Sequence, residues 1–423
     1  MNYPNLSKAI WALGAAIALV SCSSDYEPSE PSITPTSTRA VADVAHTFTI
    51  QQAQLIANTK LKKSAISAQG ANIKPIMAQN EVNVATLLSD TVAYVINYKN
   101  NEGFAIIAND NRIDPILAYS NKGNFSDENI MAKAFFLDKI EGYLASLDEN
   151  GVLSTQINNT ENAPVRRIIV EPQITIELSP TDPFNKQVNK EHPGCHAGFV
   201  NVAAANIISH TLKKLTYHNY FYDFESINYA LNQGYGFNPV NPGLINPLGF
   251  IETNYPRQFI YSYDGSVSAY NQLLYDLGKD DGTIYHYQES YGSDYGVTTT
   301  LPWSVIPVLE NMGLTLTEKT SDHDINNIVT LLFDGYLVNM SGTIIKNDGG
   351  GYPDNNLFRG PIAWVIDGCN VTLDNNNKVK SGELHIVWGL FDLGNGYFSY
   401  PILTMEDQHH INLLYHFGVK SNE

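Results

Sequence analysis

The sequence predicts an α+β fold, on three observations. An amphipathic helical stretch and short β-rich runs alternate between His46 and about Leu147, a strongly helical segment stands near the middle of the chain, and the final third is β-rich. In order, Phe48 to Ala57 reads as an amphipathic helix. Val92 to Asn97 and Gly103 to Ala108 are β-rich runs, and Lys99-Asn100-Asn101-Glu102 between them suits a hairpin turn. Glu128 to Leu147 gives a second helix. The polar stretch Asp148 to Asn162 then breaks the periodicity and Val165 to Leu178 restarts an extended chain, which places a domain boundary near 150–165. Gly198 to Lys213 is helical, with Val200, Ala203, Ala204, Ile207 and Ile208 at core spacing. Tyr336 to Met340, Ala363 to Asp367, Leu384 to Trp388 and Gly396 to Tyr400 alternate or run apolar between Gly and Asn turns, as strands do.

Composition narrows the function classes. Of 423 residues, 25 are Lys or Arg and 43 are Asp or Glu, a net charge of −18, so the chain would repel a phosphate backbone and nucleic acid is excluded as a partner. A hydrophobic fraction of 43% with 25 Tyr supplies core material for two or three domains and excludes global disorder. Three cysteines cannot make a disulfide-dense scaffold, and nothing beyond residue 22 is apolar for long enough to span a membrane. Lys8 and the apolar run Ala9 to Val20 read as a secretory signal. Leu19-Val20-Ser21-Cys22 resembles a bacterial lipobox, which makes residues 1–21 a lipoprotein signal peptide and Cys22 the lipid-bearing N-terminus; ordinary signal cleavage with Cys22 free or discarded is the alternative. Residues 22–45, with Pro28, Pro31 and Pro35 among Ser and Thr, read as a disordered tether. Asp25 and Glu27 resemble the acidic export signals of Gram-negative surface lipoproteins. The expected location is therefore the outer membrane or cell surface, with the membrane touched through the lipid anchor only.

Several segments carry a family resemblance. Thr47-Phe48-Thr49-Ile50-Gln51-Gln52-Ala53 and Gly103-Phe104-Ala105-Ile106-Ile107-Ala108-Asn109-Asp110, with Ile116-Leu117-Ala118-Tyr119-Ser120, look like prodomain segments of the pattern GGFVIVSADDR…PVLGYS. Gly198-Phe199-Val200-Asn201-Val202-Ala203-Ala204-Ala205-Asn206-Ile207 matches the pattern around a nucleophile, A-G-C-V-x-x-A-x-A-Q-I. Ala363-Trp364-Val365-Ile366-Asp367-Gly368 matches G-H-A-W-V-I-D-G, and His385-Ile386-Val387-Trp388-Gly389 with Asn395-Gly396-Tyr397-Phe398 matches H-V-N-W-G-W-G-G…N-G-Y. In this order the segments resemble the streptopain family of secreted bacterial cysteine peptidases. The resemblance implies a streptopain-type prodomain over 46–160 and a papain-like peptidase domain over 161–423, the latter with a helical lobe and an antiparallel β lobe.

A cysteine peptidase needs a thiolate at a helix N-terminus, an imidazole beside it and a group that orients the ring. The resemblance puts Phe199 at the nucleophile position, Ile362 at the general-base position and Val387 at the orienting-asparagine position, beside Trp388. None of the three can attack a carbonyl, accept a proton or hold a ring tautomer, so the family mechanism cannot run through them. The second tryptophan of the W-G-W motif is Leu390, and no W-x-Q precedes Pro183-Phe184-Asn185. The implied chain is a non-catalytic homologue that binds a peptide or protein, keeps its prodomain and needs no cofactor. Two alternatives stand beside it: an active peptidase using Cys195 as fallback nucleophile, and an adhesion or structural module.

The remaining features carry less. His192, Cys195 and His196 match no strong metal-ligand template, so no metal is expected. An extracytoplasmic compartment permits Cys195 and Cys369 to pair, while the resemblance implies that they lie on either side of the cleft, which leaves the pairing open. Gly349-Gly350-Gly351 lacks the context of a phosphate loop and is a candidate ligand-binding edge at its family position. His409 and His410 read as a solvated face. Tyr217, Tyr220, Phe221, Tyr222 and Phe224 are either buried packing or a stacking platform.

Overall fold

Thr49 starts the first helix because its side chain accepts from the Gln52 backbone N–H while the Gln52 side chain accepts from Thr49 N, a complete capping box. The helix, α1 (Ile50–Leu61), therefore begins two residues after the expected start and runs one turn past Ala57, burying Ala53, Ala57 and Leu61 at four-residue spacing. In the computed structural model the described residues are 47–64, 70–78, 89–126, 129–147, 166–235, 250–252, 259–286, 297–344, 361–390, 393–403 and 411–422. The signal segment, Cys22, the tether, the expected boundary at 150–165, Gly349-Gly350-Gly351 and the His409-His410 pair lie outside them.

After α1 come strands β1 (Asn72–Met77), β2 (Thr91–Asn97), β3 (Phe104–Ala108) and β4 (Ile116–Ser120). A composite helix, α2, follows: Ile130–Ala132, a π-helical stretch Lys133–Leu137, then Asp138–Ala145. The expected single helix over Glu128 to Leu147 is thus interrupted by a widened turn, and that turn carries the buried Phe135, Phe136 and Leu137. Strand β5 (Arg166–Val170) restarts the chain, and residues 171–179 continue it without regular structure. Next are α3 (Lys186–Glu191), α4 (Phe199–Thr211), β6 (Lys214–Tyr217), β7 (Tyr220–Asp223), α5 (Phe224–Gln233), β8 (Phe250–Glu252), β9 (Phe259–Tyr261) and α6 (Tyr263–Asp280). The last part holds β10 (Ile284–His286), β11 (Val297–Thr299), α7 (Val305–Asn311), β12 (Leu314–Leu316), α8 (Ile325–Phe333), β13 (Leu337–Ile344), β14 (Pro361–Leu373), β15 (Val379–Val387), β16 (Gly396–Ser399), α9 (Tyr400–Leu403) and β17 (Ile411–Ser421). The fold is α+β.

Eleven strands form one antiparallel sheet in the order β1-β2-β3-β4-β16-β15-β14-β13-β17-β12, with β5 on β14. The N-terminal strands join the C-terminal ones where β4 pairs β16, Tyr119 opposite Tyr397 and Ala118 opposite Phe398. Long β14 is shared on one edge: its first half pairs β13 and its second half pairs β5.

Period-two alternation assigns the side chains to layers. In β3, Ala105 and Ile107 face α1, while Phe104, Ile106 and Ala108 face α2. In β14, Ile362, Trp364 and Ile366 share the α2 face, while Ala363 and Val365 face α4 and the other helices of the middle segment. One apolar layer therefore runs unbroken from the N-terminal strands to the C-terminal ones. It brings Phe135 to 4.5 Å from Trp364 and Phe136 to 4.9 Å from Phe398, centroid to centroid.

Candidate functional site

Gly198 is the N-cap residue of α4, at φ 85°, a left-handed conformation that glycine adopts without strain. Phe199 is the first helical residue, where the helix dipole would favour a thiolate. Its side chain is 4% exposed and belongs to the same apolar layer as Ile362, Trp364, Trp388, Leu390 and the aromatic side chains of α2. Val387 lies opposite Val365 on β15 and packs on the other face of the sheet, toward α4. Trp388 is fully buried, its ring centroid 5.5 Å from that of Trp364 and 5.4 Å from that of Phe398, and its backbone N–H donates to Asn395 Oδ1 at 2.8 Å. The structure thus joins Phe199, Ile362 and Trp388 in one cluster and turns Val387 away from it. No group among these four exchanges a proton or attacks a carbonyl.

Cys195 lies three residues before the N-cap and is 1% exposed, packed with Leu178, Ala197 and Val200. Burial pushes its thiol pKa up, the opposite of what a nucleophile needs. Burial also lowers the pKa of His196, and the His192 ring stacks on Tyr285 at 4.4 Å. Cys369 sits in the apolar layer next to β5, with its thiol pushed up to about 11 by burial. On the open question of a Cys195 to Cys369 bridge, both thiols are free, and each is buried in a different core layer. Among the described residues no group of three or more His, Cys, Asp or Glu is placed to hold a metal, and no helix is long and apolar enough to cross a membrane. The aromatic run divides: Tyr222 and Phe224 are buried and stacked at 5.5 Å, while Phe221 is exposed.

Polar contacts that local sequence patterns did not pair lie on the sheet face opposite the aromatic layer. Asp367, fully buried, accepts from His385 Nδ1 at 2.5 Å and through its other oxygen from the backbone N–H groups of Gln173 and Ile174 at 2.9 and 2.8 Å. These bonds fasten the chain after β5 to the sheet. Asp367 is the extra residue of a β-bulge between Ile366 and Gly368, which turns its carboxylate toward that chain. Glu383 accepts from Lys60 of α1 at 3.2 Å, from Tyr119 of β4 at 3.0 Å and from Asn370 at 3.3 Å. One carboxylate thus ties the N-terminal segment to the C-terminal sheet.

Comparison with known proteins adds three findings. Residues 43–143 match the family model described as Spi protease inhibitor. A solved structure of a prointerpain A fragment from Prevotella intermedia superposes with a TM-score of 0.44 at 15% identity, covering 82% of this chain and 98% of that one. No curated protein matches the sequence. Helix α1, strands β1–β4 and most of α2 lie in that matched span, which is similar to the prodomain of streptopain-type peptidases.

Proposed function

We propose that this is a lipid-anchored, streptopain-like protein without peptidase activity, whose prodomain is a permanent part of the fold and whose role is to bind a peptide or protein. One observation carries the reading: Phe199 occupies the helix start where the resemblance puts a nucleophile, and it is buried with Ile362 and Trp388 against the aromatic side chains of α2. A detachable inhibitor leaves a polar cleft behind it. Removal of α2 here would instead expose a large aromatic surface to water, at about 25 cal/mol per Å². The burial of Cys195 and its raised pKa argue against a substitute nucleophile. Anchoring through Cys22 and location at the outer membrane or cell surface rest on the lipobox-like segment and the acidic residues after it.

The test is hydrolysis of casein and a broad peptide library by the purified mature protein, with and without reductant, before and after limited proteolysis between residues 150 and 165. No turnover is expected in any arm, and intact mass should give the full tethered length before the added protease. Turnover that Cys195→Ala abolishes would overturn the reading. For the anchor, fatty-acid labelling is expected in wild type and absent in Cys22→Ala.

A further inference from the structure

The segment that leads from β12 into α8, residues 317–324, is strapped along β17 without being a regular strand. Thr317 N–H donates to Gly418 O at 3.0 Å, and Gly418 N–H donates to Thr317 Oγ1 at 2.8 Å. Further along, Thr320 and His416 exchange both main-chain hydrogen bonds, at 3.0 and 2.9 Å. The strap ends at Asp324, which caps α8 by accepting from Asn326 N–H at 3.0 Å. Helix α8 in turn buries Ile325, Ile328, Val329 and Leu332 in the aromatic layer. Whatever holds the strap therefore holds the start of a helix that belongs to that layer.

Its side-chain hold is a pair of imidazoles. His416, 0% exposed, lies opposite Met340 of β13 and shares the β17 face of Gly418, where an added Cβ would stand 3.2 Å from Leu331 of α8. On the strap, His323 brings its Nδ1 to 3.3 Å from His416 Nδ1. One hydrogen sits in that contact, so one ring donates from Nδ1 and the other accepts there. Both Nε2 atoms are buried and have no hydrogen-bond partner. A further proton has two places to go. On the accepting Nδ1 it would set two N–H groups against each other, and on the donor's Nε2 it would bury a charge. Among the described residues, the Asp322 carboxylate of the strap favours that charge at both rings, and the Leu413 main chain favours it at His323. The other nearby charges are turned elsewhere: Lys319 lies 5.3 Å over the Trp303 and Tyr415 rings, and Lys420 lies 4.2 Å over Tyr336. From β13, Met340 and Ser341 beside His416 do not titrate, nor does any residue of β12. Burial outweighs Asp322 and lowers the pKa of both rings, and at His416 burial and then the neighbouring His323 bring it to about 4.

We propose that the His323–His416 contact is an acid-sensitive latch: in mildly acidic surroundings the strap of residues 317–324 leaves β17 and frees the start of α8, while the rest of the sheet stays paired. With the strap open, His416 meets water and takes up a proton near its ordinary value of 6.5, whereas with the strap closed it stays neutral down to about 4. The closed state binds fewer protons, so it is fully favoured above about pH 6.5 and loses about tenfold against the open state for each pH unit below that. The main-chain bonds of Thr317 and Thr320 do not titrate and set how far the balance must move before the strap opens.

Hydrogen exchange of the full-length protein, read by mass spectrometry from about pH 7.5 down to about pH 5 and corrected for the intrinsic effect of pH on exchange, tests this. Protection of the Thr317, Thr320, His416 and Gly418 amides is expected to fall about thirtyfold between pH 6.5 and pH 5, while that of β2 and β3 stays constant. His416→Gln has no ring to charge and should hold the same protection at every pH. A second measurement needs no folded His416 variant: in the wild type with isotope-labelled histidine, nuclear magnetic resonance should show two rings still neutral at about pH 5.5, identified by the loss of one and the shift of the other in His323→Gln. Protection that is flat with pH in the wild type would overturn the proposal, as would a loss that survives in His416→Gln. A loss shared equally by β2 and β3 would be general acid unfolding and would overturn it too, as would two rings that charge near 6.5. Neither readout depends on whether the chain binds or hydrolyses peptides.

Discussion

Where β4 meets β16, one face of the sheet is dry and aromatic and the other is polar. On the dry face Phe104, Phe136, Trp388 and Phe398 are buried, with ring centroids of Phe398 4.9 Å from Phe136, 5.4 Å from Trp388 and 6.4 Å from Phe104. On the polar face Tyr119 stacks on Tyr397 at 5.1 Å, Lys60 sits 4.1 Å over the Tyr119 ring, and Glu383 collects Lys60, Tyr119 and Asn370. The two faces divide the labour. Removing a buried aromatic costs about 3–5 kcal/mol, whereas a hydrogen bond contributes about 1 kcal/mol net and a partly exposed ion pair up to about 1 kcal/mol. Aromatic packing tolerates small slips, while a carboxylate with three partners on three segments does not. The dry face therefore supplies most of the stability of the junction, and the polar face fixes its register.

Phe136→Ala is the harshest test of that division. It should lower the stability of the junction by about 3–5 kcal/mol in urea unfolding, and Trp388→Ala should do the same. Because the two residues share a layer with Phe398, their effects should couple rather than add. A cut engineered between residues 150 and 160 should leave both pieces eluting together from gel filtration in wild type, and apart in Phe136→Ala. A loss below about 1 kcal/mol in Phe136→Ala would mean that the dry face does not hold the segments together.

The polar face should respond to a smaller change and to a different variable. Glu383→Gln keeps the shape and can still accept from Tyr119, but it loses the charge opposite Lys60. The expected cost is about 1 kcal/mol at low salt, shrinking at 1 M sodium chloride, where screening already weakens the wild-type pair. Phe136→Ala should lose the same amount at both salt concentrations. If the two variants show the same salt dependence, the faces are not physically distinct.

Much of this was legible in the sequence, and the illegible parts share a cause. The strands of the last third announce themselves by alternation, and Ile362, Trp364 and Ile366 fall on one face as a period of two requires. Thr49 and Gln52 mark the start of α1 by chemistry alone. The π-helical turn of α2 leaves no sign, because Phe135 and Phe136 are adjacent apolar residues that fit an ordinary buried helix equally well. Joining of the two sets of strands is set by pairing across the chain, as with Tyr119 and Glu383, which are 264 residues apart, and no local pattern encodes that. At the site, the motifs pointed to Phe199, Ile362, Val387 and Trp388, but only the sheet's alternation separates Val387 from the others. The cysteines illustrate the same limit: two thiols in an oxidising compartment suggest a bridge, and only the layers place them apart.

The finest expected effect uses pH to separate the faces. Burial, and after it the charge and hydrogen bond of Glu383, raise the pKa of Tyr119 above its ordinary value of 10.0. Above pH 10 the unfolded chain releases this proton while the folded chain keeps it. The folded state then binds more protons, so stability falls as pH rises; below pH 10 the contribution is fully present. Tyr119→Phe has no phenol to titrate and should lose less with rising pH. Its stability curve should converge on that of wild type by about 1.4 kcal/mol per pH unit above 10, read from urea midpoints between about pH 9 and 11.5. Other buried tyrosines, Tyr397 among them, titrate in both proteins and cancel in the difference. Phe136→Ala removes nothing that titrates and should stay parallel to wild type across the range. A Tyr119→Phe curve that also stays parallel would mean that Glu383 does not hold the Tyr119 proton, and the polar face would lose its claim to set the register.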